Sequence, residues 1–459
     1  MISNRTDNAN PTTDTAATVS ESITVTSSSF VWIRACMGFL SGETTRKGMF
    51  ALAGQSVASA TNFLTGVIIG RACTKEEFGL YMLGFTIMFF VMNIQSSLIL
   101  TPYMVYSPHL KGSEHAQYTG SSFIHQLGIS ALAIFALTVL GVVISFCDRP
   151  QGLPPVVWAL VVVITFIMFR DYARKICFVG LRMKTALLID CCVALVQISG
   201  LLLLAYLGLL SASRAFMVVG IACGIAALGW LISNRKIFAL RANKAISDFK
   251  RNWSLGKWVF AGTLLWTSGM YIYPWVLSAF HGISSTGVWA ACIGIVAVSK
   301  PLTLGIQNYL GPKIVHSYVE KDIIIFRQFV LKATVVFSLV LTPLCAILLL
   351  FGARLVAIVY GNEYAGNGLL VSILAIDLLV SPATFSFSRA LFAIERADVD
   401  FAVNWVALFV MLTIGLWLVK SFGPLGVAFG LLLGDAATAA VKYFAFGFVV
   451  RSIAARQIG

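Results

Sequence analysis

The 459-residue chain is 58% hydrophobic and only 11% charged, whereas soluble domains carry about 25% charged residues. This composition excludes a soluble globular protein, and the repeated apolar runs are long enough to cross a hydrocarbon layer of about 30 Å. The net charge of +14 does not indicate nucleic-acid binding, because Lys and Arg gather in alternate loops and no basic stretch outside the predicted helices alternates with stacking aromatic residues.

The chain opens with a polar segment. Its first 29 residues are rich in Ser, Thr, Asn and Asp, which predicts disorder. The charged, apolar and small-residue pattern of a cleaved signal peptide does not occur there, so no such peptide is expected. The stretch 30–40 is too short to span a bilayer and is expected in the membrane interface. We therefore predict that residues 1–45 form a disordered cytoplasmic N terminus with an interfacial segment.

Twelve membrane helices are predicted from the apolar runs and the breakers between them. Charged residues at 170–175 cut the fourth run short, so its end is set at 170. The predicted spans are about 48–70, 79–105, 123–146, 155–170, 185–209, 214–233, 257–281, 286–310, 328–351, 364–390, 400–421 and 424–449.

Loop charge predicts the orientation. The connections after the even-numbered helices carry several times more Lys and Arg than the others, which places both termini in the cytoplasm. A hydrophilic stretch at 234–256 separates two sets of six helices that open alike, with Lys47-Gly-Met-Phe-Ala and Lys257-Trp-Val-Phe-Ala. The predicted fold is an all-α polytopic membrane protein of two six-helix bundles, 46–233 and 257–450, related by a parallel pseudo-two-fold repeat, with a cytoplasmic tail at 451–459.

Polar side chains recur at helical spacing inside several predicted helices. Lipid cannot satisfy such groups, so they face protein or a water-filled cavity. Small hydroxyl residues at such positions also serve simply as contacts between helices, and this alternative stays open. The residues that mark these stripes are Gln55, Asn62, Asn93, Lys300, Gln307, Asp377 and Arg389.

Other embedded charges allow two interpretations. Asp190 and Asp435 either pair with a buried cation or couple transport to an ion gradient. Lys442, seven residues after Asp435 on the same helix face, pairs with it or extends to the cytoplasmic surface. Arg71 lies at the external end of the first helix, as an interface anchor or as a ligand for substrate.

Enzyme signatures are absent from the sequence. No Walker loop, HExxH or GxSxG pattern occurs, and the nine cysteines form no CxxC pair. We therefore expect no metal, no cofactor and no enzymatic activity. A membrane-embedded polymerase is disfavoured because the external loops are short. Transport without a nucleotide site must run downhill or use an ion gradient.

Two short motifs carry a family resemblance. The stretch from Lys47 to Tyr81 has Gly70-Arg71 at a helix end and Glu77-Phe78-Gly79-x-Tyr81 opening the next helix, and Gly423-Pro424-Leu425-Gly426 precedes the last helix. In these motifs the chain resembles the polysaccharide transporters of the multidrug/oligosaccharidyl-lipid/polysaccharide (MOP) exporter superfamily, whose fold is shared with the multidrug exporters.

The resemblance implies a flippase of the O-antigen or exopolysaccharide type. Such carriers move undecaprenyl-diphosphate-linked oligosaccharide across the inner membrane by alternating access, beside a polysaccharide polymerase or export machinery. The resemblance also implies that the diphosphate is bound by the cations Lys300, Arg389 and Arg71. It implies a polar lining of the cavity at Gln55, Asn62, Asn93 and Gln307. The seventh helix departs from a cationic lining because it is aromatic, and Tyr273 and Trp275 are interpreted as an interfacial belt.

An ion-coupled multidrug or metabolite antiporter of the same superfamily is the alternative. It would use acidic residues in its lumen to couple transport to ions and to bind cations. Asp377, Asp190 and Asp435 are the candidates for that role.

Overall fold

The computed structural model describes residues 43–147, 150–320 and 322–458. The predicted disordered N terminus and its interfacial segment at 30–40 lie outside these residues, apart from 43–45, where the first helix has already begun. The described residues before Phe50 and those from Phe50 onward belong to two separate units. The architecture below is that of the second unit.

Twelve long helices and no strand occupy the described residues. They are α1 Glu43–Ala72, α2 Lys75–His109, α3 Gly112–Cys147, α4 Leu153–Val179, α5 Met183–Tyr206, α6 Ala212–Ile237, α7 Ala242–His281, α8 Ile283–Glu320, α9 Ile323–Tyr360, α10 Gly368–Ala393, α11 Ala397–Phe422 and α12 Pro424–Ile458. Within the described part of the chain, eleven helices are long and apolar enough to cross a membrane, and α7 is not among them. The prediction of an all-α multi-pass membrane protein is confirmed.

Short caps and turns end these helices. Thr74 accepts a hydrogen bond from the amide of Glu77 at the start of α2, and Ser211 accepts one from the amide of Arg214 at the start of α6. Such caps satisfy amide groups that the first turn of a helix leaves without a partner. Because the connections are short, successive helices run antiparallel.

The two ends of the bundle differ in charge. We call the end at which α2–α3, α4–α5, α6–α7, α8–α9 and α10–α11 are joined the basic face, because the chain there is rich in Lys and Arg. The other end is the opposite face. The N-terminal half is α1–α6 and the C-terminal half is α7–α12.

The ends of α4 and α10 show the repeat between the halves. Leu181 and Glu395 follow them with φ of +54° and +59°. In each turn the next amide returns to the helix: Arg182 N–H donates to the Cys177 carbonyl at 2.8 Å, and Arg396 N–H donates to the Leu391 carbonyl at 2.9 Å. The same offset of 214 residues relates both pairs, so α4 and α10 are equivalent helices. The parallel repeat is therefore visible in backbone geometry.

The predicted end of α4 was wrong. The helix continues to Val179 instead of stopping at 170, and its charged residues lie in its last turns and not in a loop. This is possible because the buried carboxylate of Asp190 on α5 accepts hydrogen bonds from Arg170 and Arg174. Because these charges are paired, they do not prevent the helix from continuing inside the protein.

The predicted linker at 234–256 is largely helical. From residue 242 onward it forms the first turns of α7, which pack on α3 of the N-terminal half. Asn252 accepts a hydrogen bond from the Tyr118 hydroxyl at 2.8 Å, and the Ala245 carbonyl lies 2.8 Å from His125 Nε2. The helix then continues into the C-terminal half.

Candidate functional site

A cavity of about 470 Å³ lies in the N-terminal half near the basic face. We call it the N-cavity. Its lining comes from α1, α2 and α4 and consists of Gln55, Met104, Pro108, Asp171, Arg174, Lys175, Phe178 and Val179. Two cations against one carboxylate give the lining a net positive charge, which suits an anionic ligand.

A hydrogen-bonded network on one side of the N-cavity fixes Arg174. Its Nε donates to Asp190 Oδ2 at 2.9 Å, and its Nη2 donates to Gln55 Oε1 at 3.3 Å. The other oxygen of Asp190 accepts from Arg170 Nη2 at 2.5 Å. The Asp190 carboxylate is wholly buried, whereas both arginines stay slightly exposed. A buried carboxylate shared by two guanidinium groups satisfies the charge of only one of them.

A second cavity of about 340 Å³ lies in the C-terminal half. We call it the C-cavity. It is lined by Gln307, Asn308, Gly311, Pro312 and Val315 of α8 and by Arg389 of α10. The Arg389 guanidinium lies 5.4 Å from the centre of the Phe385 ring, and this cation–π contact holds it beside Gly311.

The two cavities carry cations at equivalent positions. Lys175 and Arg389 each precede the positive-φ residue of their turn by six residues, Leu181 on one side and Glu395 on the other. The N-cavity uses α2 and α4, and the C-cavity uses the equivalent α8 and α10. Each half thus presents a cation from the last turns of equivalent helices near the basic face.

The opposite face is closed by contacts between the halves. Arg71 at the end of α1 donates from Nε to the Val359 carbonyl at 2.8 Å, and its Nη2 donates to the Ile358 carbonyl of α9. Phe78 of α2 stacks on Tyr360 of α9 with ring centres 5.8 Å apart. An apolar cluster of residues from both halves surrounds them. The bundle is therefore sealed at the opposite face, while its cavities lie near the basic face.

The predicted substrate-binding residues occupy three environments. Gln55, Gln307 and Arg389 line the cavities, whereas Arg71 takes part in the closure of the opposite face. Lys300 and Asn62 are exposed and Asn93 is half-buried; these three lie outside both cavities. Among the described residues Lys300 makes no hydrogen bond or ion pair.

The three predicted ion-coupling carboxylates differ in their partners. Asp190 is paired with Arg170 and Arg174. Asp377 of α10 is half-buried, and its Oδ1 has no hydrogen-bond partner among the described residues. The carboxylate of Asp435 on α12 is close enough to interact electrostatically with that of Asp377. The described residues contain no group of three or more His, Cys, Asp or Glu side chains arranged to hold a metal ion.

Two predictions for other side chains were wrong. Lys442 neither extends to the surface nor pairs with Asp435: its Nζ donates to Ser388 Oγ at 2.6 Å and lies 2.9 Å from Asp400 Oδ1 in the interior. Tyr273 and Trp275 form no interfacial belt. The Tyr273 hydroxyl donates to the Met411 carbonyl at 3.1 Å, and Trp275 joins the two halves through its hydrogen bond to Thr86 at 2.8 Å.

Sequence reasoning missed Arg174 and Lys175 as site residues, because it treated them as loop charges. One signal was available. Arg170 and Arg174 stand four residues apart and therefore share a helix face if the helix continues. The embedded Asp190 on the next helix is the partner such a pair requires.

The fold and its cavities define the class of protein. The described residues form twelve long helices in two equivalent halves, with a cationic cavity in each, and this is the architecture of a multi-pass membrane protein. The chain belongs to the polysaccharide biosynthesis protein family, whose model matches residues 44–312. The capsular polysaccharide biosynthesis protein CapF of Staphylococcus aureus is 22% identical over 219 residues, which cover 47% of this chain and 54% of CapF. The chain thus spans about half the length of this curated relative.

Solved transporter structures share the fold. An inward-facing multidrug resistance MATE family transporter of the MOP superfamily superposes with a TM-score of 0.71 at 14% identity, covering 88% of this chain and 98% of that transporter. The lipid II flippase MurJ, in an inward closed conformation, also has a TM-score of 0.71 at 14% identity, covering 86% and 87% of the two chains. At these identities the likeness concerns the fold alone. The predicted resemblance is confirmed at the level of the polysaccharide biosynthesis family.

Proposed function

We propose that this protein is a flippase that moves an undecaprenyl-diphosphate-linked oligosaccharide across the bacterial inner membrane for surface polysaccharide synthesis, of the O-antigen (lipopolysaccharide) or exopolysaccharide kind. The observation that carries the proposal is the N-cavity, in which Arg174 and Lys175 stand beside the amide of Gln55. Guanidinium and ammonium groups bind diphosphate through charge-assisted hydrogen bonds, and amides suit sugar hydroxyls. Membership of the polysaccharide biosynthesis family supports this substrate class.

The orientation of the chain in the membrane follows from loop charge. With the basic face in the cytoplasm, both termini are cytoplasmic and the cavities are reached from the side on which lipid-linked sugars are assembled. The cationic C-cavity offers a second polar surface, and Lys300 offers a free ammonium group between the two ends of α8. Transport then requires the opposite face to open while the basic face closes.

Deletion of the gene in its native host tests this proposal. Loss of one surface glycan, together with lipid-linked oligosaccharide retained in the cytoplasmic leaflet, is the expected outcome. The intact gene should restore the glycan, and Arg174→Gln should restore it poorly. The surface-exposed Arg182, which donates to Asn234 outside the cavity, supplies the matched control variant Arg182→Gln. Normal surface glycan without a trapped intermediate would refute the flippase.

An ion-coupled antiporter for drugs or metabolites is the second candidate. The observation that favours it is the Asp377 oxygen without a hydrogen-bond partner, beside Asp435. A proton, a sodium ion or a cationic compound would satisfy this pair of carboxylates. New sensitivity of the deletion strain to cationic compounds, abolished by the intact gene but not by Asp377→Asn, would support this function. Unchanged sensitivity would exclude it.

A further inference from the structure

The buried carboxylate of Asp190 is hydrogen-bonded through both oxygens but lines neither cavity. It lies on α5, does not line the N-cavity, and is wholly shielded from solvent. Both of its oxygens accept hydrogen bonds from arginines of α4. We propose that Asp190 is a positioning residue that holds Arg174 in the orientation needed to bind the diphosphate of the substrate. This inference rests on the proposed function.

The nitrogen atoms of the Arg174 guanidinium have different partners. Its Nε is taken by Asp190, while Nη2 reaches only the neutral Gln55 at 3.3 Å. Gln55 and Arg174 line the same cavity. A diphosphate oxygen is a stronger acceptor than an amide oxygen, so it replaces Gln55 at the Nη edge without breaking the bond to Asp190. The guanidinium fork permits this because its five donors have fixed directions.

The surroundings of Asp190 restrict its carboxylate to one place. Gly54 of α1 packs against it so closely that a methyl group at Gly54 would lie 3.1 Å from Asp190 Oδ2. Arg170 holds the remaining oxygen at 2.5 Å. Helices α1, α4 and α5 therefore meet at this carboxylate. An arginine anchored to it has little freedom to turn away from the N-cavity.

Charge alone does not account for the arrangement. Asp190 cancels positive charge next to a site for an anion. A site that bound anions only through its positive electrostatic potential would have no carboxylate at this position. The cluster of Arg170, Arg174 and Asp190 carries one net positive charge. If Asp190 served only as a counter-charge, its removal would strengthen anion binding. If Asp190 positions Arg174, its removal weakens binding although the local charge becomes more positive.

A charge-matched double variant separates these possibilities. Asp190→Leu combined with Arg170→Gln leaves Arg174 as the single cation of the cluster, so the net charge equals that of the native protein while the hydrogen-bond acceptor that anchors Arg174 is gone. We expect purified protein to bind undecaprenyl diphosphate in detergent about tenfold more weakly in this variant. Arg174→Gln should weaken binding by a similar factor, and Arg182→Gln should bind as the native protein does.

Thermal unfolding of each variant in the same detergent identifies those that are folded. Native affinity in the folded double variant would overturn the positioning role and leave Asp190 a structural counter-ion. Should the double variant not fold, Arg174→Lys preserves the charge balance but cannot hold Asp190 and the ligand on two edges of one group. It is then expected to bind about tenfold more weakly, and native affinity would again overturn the proposal. If the native protein itself binds no undecaprenyl diphosphate, the proposed function fails instead.

Discussion

Gly79 of α2 and Gly287 of α8 lie against each other at the opposite face, at equivalent places in the two halves. A methyl group on Gly79 would overlap the Ile283 carbonyl, and one on Gly287 would overlap the Lys75 carbonyl and lie 3.2 Å from the amide nitrogen of Gly79. Only glycine allows two helix backbones to approach this closely. The closure of the opposite face therefore depends on the absence of two side chains.

Gly79→Ala or Gly287→Ala should open the opposite face. Overlap with a backbone carbonyl costs about 1–3 kcal/mol, which corresponds to a shift of about 5- to 150-fold in the balance between conformations. Spin labels at the exposed positions Ala72 and Glu363, in a version without native cysteines, measure the distance between the halves. We expect longer distances in both variants.

Gly128 of α3 gives the control, because an added methyl group meets no atom within 4 Å there. Gly128→Ala should leave the distance distribution as it is. Native distances in the Gly79 and Gly287 variants would show that the added methyl group is accommodated without opening and that the glycine contact does not hold the closed state.

Arg71→Gln tests the role of the arginine at the end of α1. The loss of its two hydrogen bonds to backbone carbonyls of α9 should cost about 1 kcal/mol at this exposed site. We expect the same label pair to show longer distances and the affinity for undecaprenyl diphosphate to stay native. Unchanged distances with weaker lipid binding would instead support the sequence-based prediction that Arg71 binds substrate.

Gly311→Leu should impair the C-cavity. A Cβ atom at Gly311 would lie 3.6 Å from the Phe385 ring and 3.9 Å from Arg389 Nε, which is ordinary contact. Alanine therefore fits, whereas the larger leucine covers the guanidinium of Arg389. In the complementation assay we expect Gly311→Ala to restore surface glycan and Gly311→Leu to restore less than about a tenth of it. Equal restoration by both would remove the C-cavity from the transport path.

Lys442→Met should destabilise the C-terminal half. It leaves the Asp400 carboxylate buried without its cation, which typically costs about 3–5 kcal/mol. We expect the midpoint of thermal unfolding in detergent to fall by several degrees, and the double variant Lys442→Met with Asp400→Leu to recover most of the loss. The exposed ion pair between Arg396 and Asp398 provides the control: Asp398→Asn should leave the midpoint unchanged.

The sequence predicts the number and direction of the helices because lipid imposes a minimum length on every apolar run. It also predicts three cavity residues, Gln55, Gln307 and Arg389, because they are polar residues at helical spacing within apolar surroundings. These inferences need only local information. The family resemblance adds the expected fold, and hence the arrangement of the two halves.

Pairing between distant helices was beyond reach. Asp400 is 42 residues from Lys442 in the sequence, and Asp435, on the same helix as Lys442, was the nearer candidate. The carbonyl groups that bind Arg71 belong to Ile358 and Val359, and backbone acceptors leave no signature in residue types. Trp275 likewise gives no sign in the sequence that Thr86 of the other half is its partner.

The path of α7 determines whether the chain can be cut into two separate halves. Its first turns are bound to α3 through Asn252 and Ala245, whereas its last turn is bound to α11, where His281 Nε2 lies 2.9 Å from the Val419 carbonyl. A break in the chain before residue 242 would keep this helix whole, but the resulting C-terminal piece would still carry a segment that belongs structurally to its partner. The two six-helix halves are thus not interchangeable parts, and neither is expected to form a complete unit when it is expressed alone.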